Sequence, residues 1–274
     1  MNNSNLFLKK IQNLSSDDLI DLKNIELLEN KYLEKYYYFL KFAENEILEG
    51  LKTKDYIRDN WIDKWGTDKA SRSDFDVGAE RIVYALLNGK GIGSPNSCPV
   101  GSDLMFEVDD AFIHIDMKTV CTDNIRDCKN SIFVGENQNS YCGIIEKNNE
   151  STENYIPSLP TVYTVNRKEY KSPIPKVCLS YFIIILYDKT SLDTEFIMIT
   201  CMPNGKLEKV YGSKVLAAGK NPGKARYKFS AIPNFELLNQ KLRTRVVYLN
   251  ENVRERYASE LKNIISFYDN PFNR

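Results

Sequence analysis

Histidine is almost absent from this sequence, since His114 is the only one among 274 residues. A zinc site built from several histidines is therefore excluded, and a Ser-His-Asp triad is possible only through that one residue. The six cysteines form no Cys-x-x-Cys pair and have apolar or mixed neighbours. This pattern predicts neither a zinc ribbon nor a disulfide framework.

Long apolar runs are also lacking. The longest lies around residues 181–187, which is too short to span a bilayer, and the first residues carry no apolar signal-peptide core. The sequence therefore predicts a soluble, cytoplasmic protein with reduced thiols and no membrane contact. The net charge is zero, with 37 basic and 37 acidic residues, so the overall charge does not indicate a polyanionic partner.

The most informative stretch is residues 103–118, which predicts two adjacent β-strands. Side chains alternate between the two faces of a strand, so Asp116 and Lys118 share one face with His114. The opposite face is aliphatic. If the two strands pair as a hairpin, Asp103 comes to lie beside Asp116 and Lys118.

Two carboxylates and a lysine are suited to phosphodiester hydrolysis. Carboxylate oxygens are the ligands that Mg²⁺ prefers, and Mg²⁺ commonly takes its remaining ligands from water and from a substrate phosphate. A neighbouring lysine can orient a water molecule or neutralise developing negative charge.

These residues resemble the motif of the PD-(D/E)XK nuclease superfamily, and within it the type II restriction endonucleases. The matching positions are Asp103, followed by Asp116-Met117-Lys118. Ser102 stands where the family has proline, and Asp116 stands where it more often has glutamate. The resemblance implies that Asp103 and Asp116 bind Mg²⁺, with Mn²⁺ as a substitute, and that Lys118 assists the attacking water.

Two further elements extend the resemblance over residues 74–142. Glu80, on a predicted helix, is similar to the additional helical acid that many restriction enzymes direct at the site. Gln138 and Tyr141 resemble a glutamine-tyrosine element that some members carry after the lysine, although the spacing is one residue short. We therefore include Glu80 among the catalytic candidates and Gln138 among the DNA-binding candidates.

Each element also has a purely structural interpretation. An Asp-x-Lys tripeptide on a strand is commonly a solvated or salt-bridged face. Glu80 near the start of a helix would be stabilised by the helix dipole without any catalytic role. Gln138 and Tyr141 could be a helix start and a core aromatic. The preceding acid, the aliphatic strand faces and the flanking helices favour the catalytic interpretation.

The segment 205–245 changes the conclusion drawn from net charge. It has ten basic residues against two acidic ones, a local net charge of +8. Phosphate contacts supply most non-specific affinity for DNA, so this segment predicts a DNA-contacting surface beside the acidic site. The alternative is a solvated basic loop. The basic residues are Lys206, Lys209, Lys214, Lys220, Lys224, Arg226, Lys228, Lys241, Arg243 and Arg245, of which we expect Lys220, Lys224, Arg226 and Lys228 to contact DNA.

The hydrophobic pattern predicts an α/β fold in which helices flank a central mixed β-sheet. The resemblance implies that this sheet is of the restriction-endonuclease type. One long amphipathic helix is predicted over residues 25–51 and a C-terminal helix over residues 253–268. Residues 179–187 and 195–202 are predicted as buried strands, 246–249 as a short strand, and 148–175 as a long surface loop that wraps DNA. We expect an N-terminal helical region, 1–70, that packs on the core or dimerises it, and a nuclease core, 71–274.

The sequence thus predicts a homodimeric type II restriction endonuclease that cleaves double-stranded DNA and has a cognate DNA methyltransferase as a genetic partner. Two alternatives remain open at this point. One is a repair or recombination nuclease of the same fold that recognises DNA structure. The other is a nucleic-acid-binding protein without catalytic turnover.

Overall fold

A computed structural model describes residues 11–56, 72–88, 93–95, 101–147, 151–168, 171–220, 224–231 and 242–270. Its helices are α1 (Ser16–Phe42), α2 (Glu44–Tyr56), α3 (Arg72–Leu87), α4 (Glu208–Tyr211), α5 (Val253–Arg256) and α6 (Lys262–Asp269). Its strands are β1 (Ser94–Pro95), β2 (Leu104–Glu107), β3 (Ala111–Cys121), β4 (Ile132–Val134), β5 (Gly143–Lys147), β6 (Ser151–Tyr155), β7 (Val162–Val165), β8 (Ile174–Tyr187), β9 (Thr194–Met202), β10 (Leu216–Ala218), β11 (Ala225–Tyr227) and β12 (Thr244–Leu249).

The central sheet confirms the predicted mixed architecture. Its strand order is β1-β2-β3-β8-β9-β12, with β7 paired to the first residues of β8. Strands β3 and β8 run parallel over eleven residue pairs, from Ala111 opposite Val177 to Cys121 opposite Tyr187. The other pairings are antiparallel. Strand β9 is buried along its whole length, as its apolar and β-branched composition predicts.

Each face of the sheet has its own apolar cluster. On one face, Ile115 and Ile183 pack with Leu40 of α1, Ile47 of α2 and Val83 of α3. On the other face, the cluster contains residues of β8, β9, the small sheet β10-β11-β4 and helix α6, namely Phe182, Ile184, Phe196, Met198, Ile132, Leu216, Tyr227 and Ile264. The sheet is therefore the middle layer between two sets of packed elements.

Three sequence-based boundaries were wrong. The helix predicted over 25–51 is two helices that meet at Ala43, because the apolar spacing continues through the break and does not reveal it. The C-terminal helix is likewise divided into α5 and α6. The segment 148–175 contains β6, β7 and the start of β8, so it is not a continuous loop.

Within the described ranges, no helix combines the length and apolarity needed to cross a bilayer. Five cysteines fall in these ranges, and Cys121, Cys128, Cys142, Cys178 and Cys201 are all free thiols.

A buried ion pair joins helix α1 to the residue that precedes β12. The Nη2 atom of Arg243 donates to Oε2 of Glu29 at 2.9 Å, and both side chains are fully buried. The same Nη2 atom lies 3.1 Å from the hydroxyl of Tyr211, which donates to Glu26 at 2.7 Å. The backbone N–H of Asn204 donates to the other Glu29 oxygen at 2.7 Å. This network fastens α1 to three separate segments of the core.

We predict that Arg243→Ala lowers the free energy of unfolding by about 3–5 kcal/mol, because it leaves the Glu29 carboxylate buried without its cation. Urea unfolding followed by circular dichroism would measure the loss. Lys206→Ala is the matched control. Lys206 lies two residues after Asn204, and its ammonium pairs with Asp21 of α1 at 2.8 Å on the protein surface. An exposed pair contributes little. Equal effects of the two substitutions would contradict this assignment.

Candidate functional site

The predicted hairpin of β2 and β3 is confirmed. Leu104 pairs with Ile115, so Asp103, the residue before β2, comes beside the middle of β3. The backbone N–H of Met117 donates to Oδ2 of Asp103 at 2.6 Å. This hydrogen bond holds the exposed Asp103 side chain next to Asp116 and Lys118.

Asp116 lies in the interior, with 2% of its surface exposed, while its neighbour Lys118 is partly accessible. The two side chains form an ion pair through Nζ of Lys118 and Oδ2 of Asp116. Apart from this ion pair, Oδ2 has no hydrogen-bond partner among the described residues. Lys118 is therefore the charged group that this oxygen contacts in the described part of the chain.

Gln138 connects the two residues. Its Oε1 atom accepts from Lys118 Nζ at 3.1 Å and from the backbone N–H of Gly135 at 2.8 Å. These two donors fix the orientation of the amide, so that Nε2 donates to Oδ1 of Asp116 at 2.8 Å. Gln138 was predicted as a DNA-binding residue, whereas the structure places it against the two candidate catalytic residues.

The loop that carries Gln138 is braced by buried polar contacts. The side chain of Asn139 donates to the Gly135 carbonyl at 2.9 Å and to the Tyr155 hydroxyl at 2.8 Å. Tyr141 is buried, and its hydroxyl donates to the Gly212 carbonyl at 2.8 Å. Tyr141 is thus a core residue, as its structural interpretation predicted. The sequence offers no periodic signal for Asn139 or Tyr155, because they lie in a short turn and at the end of β6.

The pKa of Asp116 is raised to about 7. Burial is the largest cause, because a desolvated carboxylate loses the hydration of its charge. The positive charge of Lys118 acts in the opposite direction, while the negative charges of Asp103 and Glu80 raise the pKa further. Glu80 therefore contributes to the electrostatics of Asp116 from helix α3, while its catalytic role stays a prediction.

A cleft of about 470 Å³ begins at this site. Glu80 and Lys118 line one part, and residues of the basic segment line another. Phe133 of β4 is exposed there, and Nζ of Lys224 lies 5.6 Å from the centre of its ring. The cleft lining is completed by Met117, Thr119, Val120, Asp127, Ile132, Gly219, Lys220 and Arg226. Glu80 and Lys118 of the candidate site thus share one cleft with three of the predicted DNA-contacting residues, Lys220, Lys224 and Arg226.

The basic segment presents fewer accessible cations than its composition predicts. Arg243 and Arg245 are buried, and Lys206 and Lys209 pair with Asp21 and Asp18 of α1. The local charge of +8 therefore overstates the cations available to DNA, because side-chain burial and ion pairing are not visible in composition. Lys241 lies outside the described residues.

Arg226 is held by the protein itself. Its guanidinium donates to the side chains of Ser131 and Asp127 at 2.9 and 3.1 Å and to the two backbone carbonyls of the same residues. These contacts tie β11 to the loop before β4. Lys228 is half-buried, and its backbone N–H donates to the Val215 carbonyl. Lys220 and Lys224 are exposed.

His114 is buried on the same strand face as Asp116. Burial lowers the pKa of its imidazole to about 4, so the ring is neutral near neutral pH. Its Nδ1 atom lies 3.1 Å from the hydroxyl of Ser102. The histidine is therefore close to the site without being part of the Asp116-Lys118-Gln138 contacts.

Two solved structures are similar to this chain in fold. The crystal structure of the tetrameric restriction endonuclease SfiI bound to cognate DNA has a TM-score of 0.63, with 16% identity, over 88% of each chain. The crystal structure of the restriction endonuclease BglI bound to its DNA recognition sequence has a TM-score of 0.60, with 15% identity, over 82% of this chain and 91% of the other. The fold is therefore that of restriction endonucleases.

Protein-family profiles give the narrower assignment. The N-terminal domain of the type II restriction enzyme MwoI matches residues 21–192, more than half of the chain, and its central domain matches residues 195–249. A search of curated protein sequences found no match. The chain belongs to the MwoI family of type II restriction enzymes, which cleave DNA at specific sequences. Of the three functions left open by the sequence, this family supports the restriction endonuclease.

We predict that Asp116 makes the metal-free protein less stable as the pH rises from about 4 to about 7. Its pKa in the folded state, about 7, lies above the usual carboxyl value of about 3.9, so its contribution to stability is fully present below that value and is lost as the pH rises to about 7. Asp116→Asn cannot ionise. Relative to this variant, the wild type should therefore lose free energy of unfolding across that range, as measured by urea titration in EDTA.

The exposed Asp123 provides the control for this measurement, since Asp123→Asn lies outside the cleft and should follow the wild-type curve. Parallel pH profiles for wild type and Asp116→Asn would show that the burial of Asp116 does not raise its pKa.

Proposed function

We propose that this restriction enzyme hydrolyses the phosphodiester bonds of double-stranded DNA with Mg²⁺ held by Asp103 and Asp116, and that Mn²⁺ can substitute for it. The observation that carries the proposal is the buried Asp116 carboxylate beside Asp103 and Lys118, of which Lys118 lines a cleft that also contains Lys220 and Lys224. Glu80 belongs to the same proposed site as a supporting acid.

The residues present fit a hard divalent cation. The Oδ2 atom of Asp116 is buried and contacts the Lys118 ammonium, and it has no other partner among the described residues, so a lone pair remains available for a cation. Asp103 is exposed and adds a second carboxylate. No group of three or more His, Cys, Asp or Glu side chains forms a closed metal site in the described part of the chain. Two carboxylates nevertheless suffice for Mg²⁺, which commonly completes its shell with water and substrate phosphate oxygens.

When bound, the metal ion would lower the pKa of a water molecule and stabilise the negative charge that develops on the phosphate. The protein residues then have separate tasks. Asp116 and Gln138 fix the Lys118 ammonium from two sides, so its remaining hydrogen can be directed at a water or at a phosphate oxygen in the cleft. Such preorganisation avoids the cost of reorienting the cation during the reaction.

Several features support a DNA duplex as the substrate in this cleft. SfiI and BglI were each crystallised with DNA, and the cleft joins Glu80 and Lys118 to Lys220 and Lys224. We extend the proposal to a homodimer, which would place one site on each strand of a two-fold symmetric target. The proposed N-terminal region 1–70 would support the core 71–274 through Tyr36 and Leu40 of its described helix α1. Cytoplasmic location and a cognate methyltransferase that protects the host DNA complete the proposal.

We predict that Asp116→Ala and Lys118→Ala each reduce plasmid cleavage by about 100-fold or more, because each removes a charge that acts on the transition state. Asp123→Asn is the matched control and should cleave at the wild-type rate. Time courses on plasmid DNA with Mg²⁺ would measure the rates, and circular dichroism would show that both variants fold.

The same assay tests the metal. Cleavage should stop in excess EDTA, resume with Mg²⁺ or Mn²⁺, and be poorly supported by Ca²⁺, whose larger radius and looser geometry suit it less well to the site. Wild-type rates in the Asp116 and Lys118 variants, or undiminished cleavage in EDTA, would refute the proposed chemistry.

We predict that Lys220→Ala and Lys224→Ala weaken the binding of all duplexes about equally, and that each lowers the slope of log affinity against log salt by about 1. Fluorescence anisotropy of a labelled duplex at several salt concentrations, with EDTA present to prevent cleavage, would measure both quantities. Lys206→Ala is the control, because Lys206 belongs to the same basic segment but does not line the cleft.

Arg226 and Lys228 are tested in the same series. Arg226→Ala should also reduce thermal stability, because its guanidinium holds β11 to the loop before β4. Unchanged affinity and unchanged salt slope in the Lys220, Lys224 and Lys228 variants would contradict a DNA-binding role for the basic segment.

A further inference from the structure

The turn that leads into β2 is fixed by contacts on each of its three residues. Gly101 has a φ of +81°, and a Cβ atom at this position would collide with the side chain of Asn137, next to Gln138 in sequence. Ser102 contacts His114, and Asp103 accepts the N–H of Met117 at 2.6 Å. Only glycine combines that backbone angle with that close approach. The turn is therefore held between β3 and the loop that carries Gln138.

The contact of Ser102 with His114 is unusual because it engages a buried ring. His114 is 1% exposed, and Oγ of Ser102 lies 3.1 Å from its Nδ1 atom. The ring of Tyr163 stacks on the imidazole at a centroid distance of 5.8 Å. The other ring nitrogen, Nε2, is buried and has no hydrogen-bond partner among the described residues. A buried polar nitrogen without a partner costs free energy, so stability alone does not account for a histidine here.

We propose that His114 is a positioning residue that acts through Ser102 on Asp103. The inference rests on the proposed function, in which Asp103 is a metal ligand. Asp103 is exposed and lies outside a regular strand, so packing alone does not fix the direction of its carboxylate. The rigid, buried imidazole holds the Ser102 side chain, and the Ser102 backbone in turn sets the position of the next residue.

Two matched pairs of variants test the inference. Ser102→Thr keeps the hydroxyl, and Ser102→Val has a side chain of the same shape as threonine without the hydroxyl. His114→Leu removes the polar ring, whereas His114→Asn retains a polar atom near the place of Nδ1. We expect Ser102→Val and His114→Leu to weaken Mn²⁺ binding about 10–100-fold, the range seen when residues supporting a metal ligand are removed. The Thr and Asn variants should remain close to wild type.

The affinity for Mn²⁺ is measured on the full chain without DNA, by electron paramagnetic resonance of the free ion. The Mg²⁺ concentration that gives half-maximal plasmid cleavage provides a second readout. The free energy of unfolding, measured with urea, shows whether a variant loses metal affinity because it is less stable or because Asp103 is positioned wrongly. His114→Leu fills the site with an apolar side chain and removes the unpartnered Nε2, so reduced metal affinity without loss of stability is the expected signature.

Asp103→Ala distinguishes failure of this inference from failure of the proposed function. If Asp103→Ala loses metal binding while Ser102→Val and His114→Leu keep wild-type affinity, the positioning role is refuted and the metal site stands. If Ser102→Thr loses as much Mn²⁺ affinity as Ser102→Val, and His114→Asn as much as His114→Leu, the hydrogen bond is not the cause. The inference is then also refuted. If Asp103→Ala itself binds metal and cleaves DNA normally, the proposed function fails.

Discussion

The burial of a small number of charges governs this structure, and the pair formed by Glu29 and Arg243 is the contact on which most of the fold depends. Both side chains are fully removed from solvent, so neither can be tolerated without the other. Through Asn204 and Tyr211 the pair connects α1 to the segments that follow β9. The N–H of Gly205, beside Asn204, donates to the side chain of Ser140, close to Gln138. The loop that carries Gln138 is thereby linked to helix α1.

Asp116 is a second buried acid with similar partners in a different setting. Each acid has one neutral donor and one cation: Asn204 and Arg243 for Glu29, Gln138 and Lys118 for Asp116. Arg243 is fully buried, whereas Lys118 is partly exposed and lines the cleft. The negative charges of Asp103 and Glu80 also act on Asp116. Access to the cleft and the neighbouring acids therefore separate the proposed catalytic acid from the structural one.

The local part of this arrangement could be predicted from sequence, and the part that depends on distant contacts could not. Strand alternation alone placed Asp116 and Lys118 on one face, and the short distance to Asp103 implied the hairpin. The central strands followed from their apolar, β-branched composition. The break at Ala43, the burial of Arg243 and Arg245, and the contacts of Gln138 all depend on partners far away in the chain or on turn geometry. The basic segment was overestimated for the same reason, since composition counts charges without showing which are already paired.

The distance along the chain between Glu29 and Arg243 has a consequence for how the protein is made. The contact joins positions 214 residues apart, and contacts of such long range form late and slowly. The hairpin of β2 and β3 needs only neighbouring residues and is available much earlier in synthesis. Until translation has passed residue 243, we expect the nascent chain to contain the residues of the site without the Glu29–Arg243 contact that joins α1 to the core. For an enzyme that cuts DNA, this order delays activity relative to the appearance of its active residues.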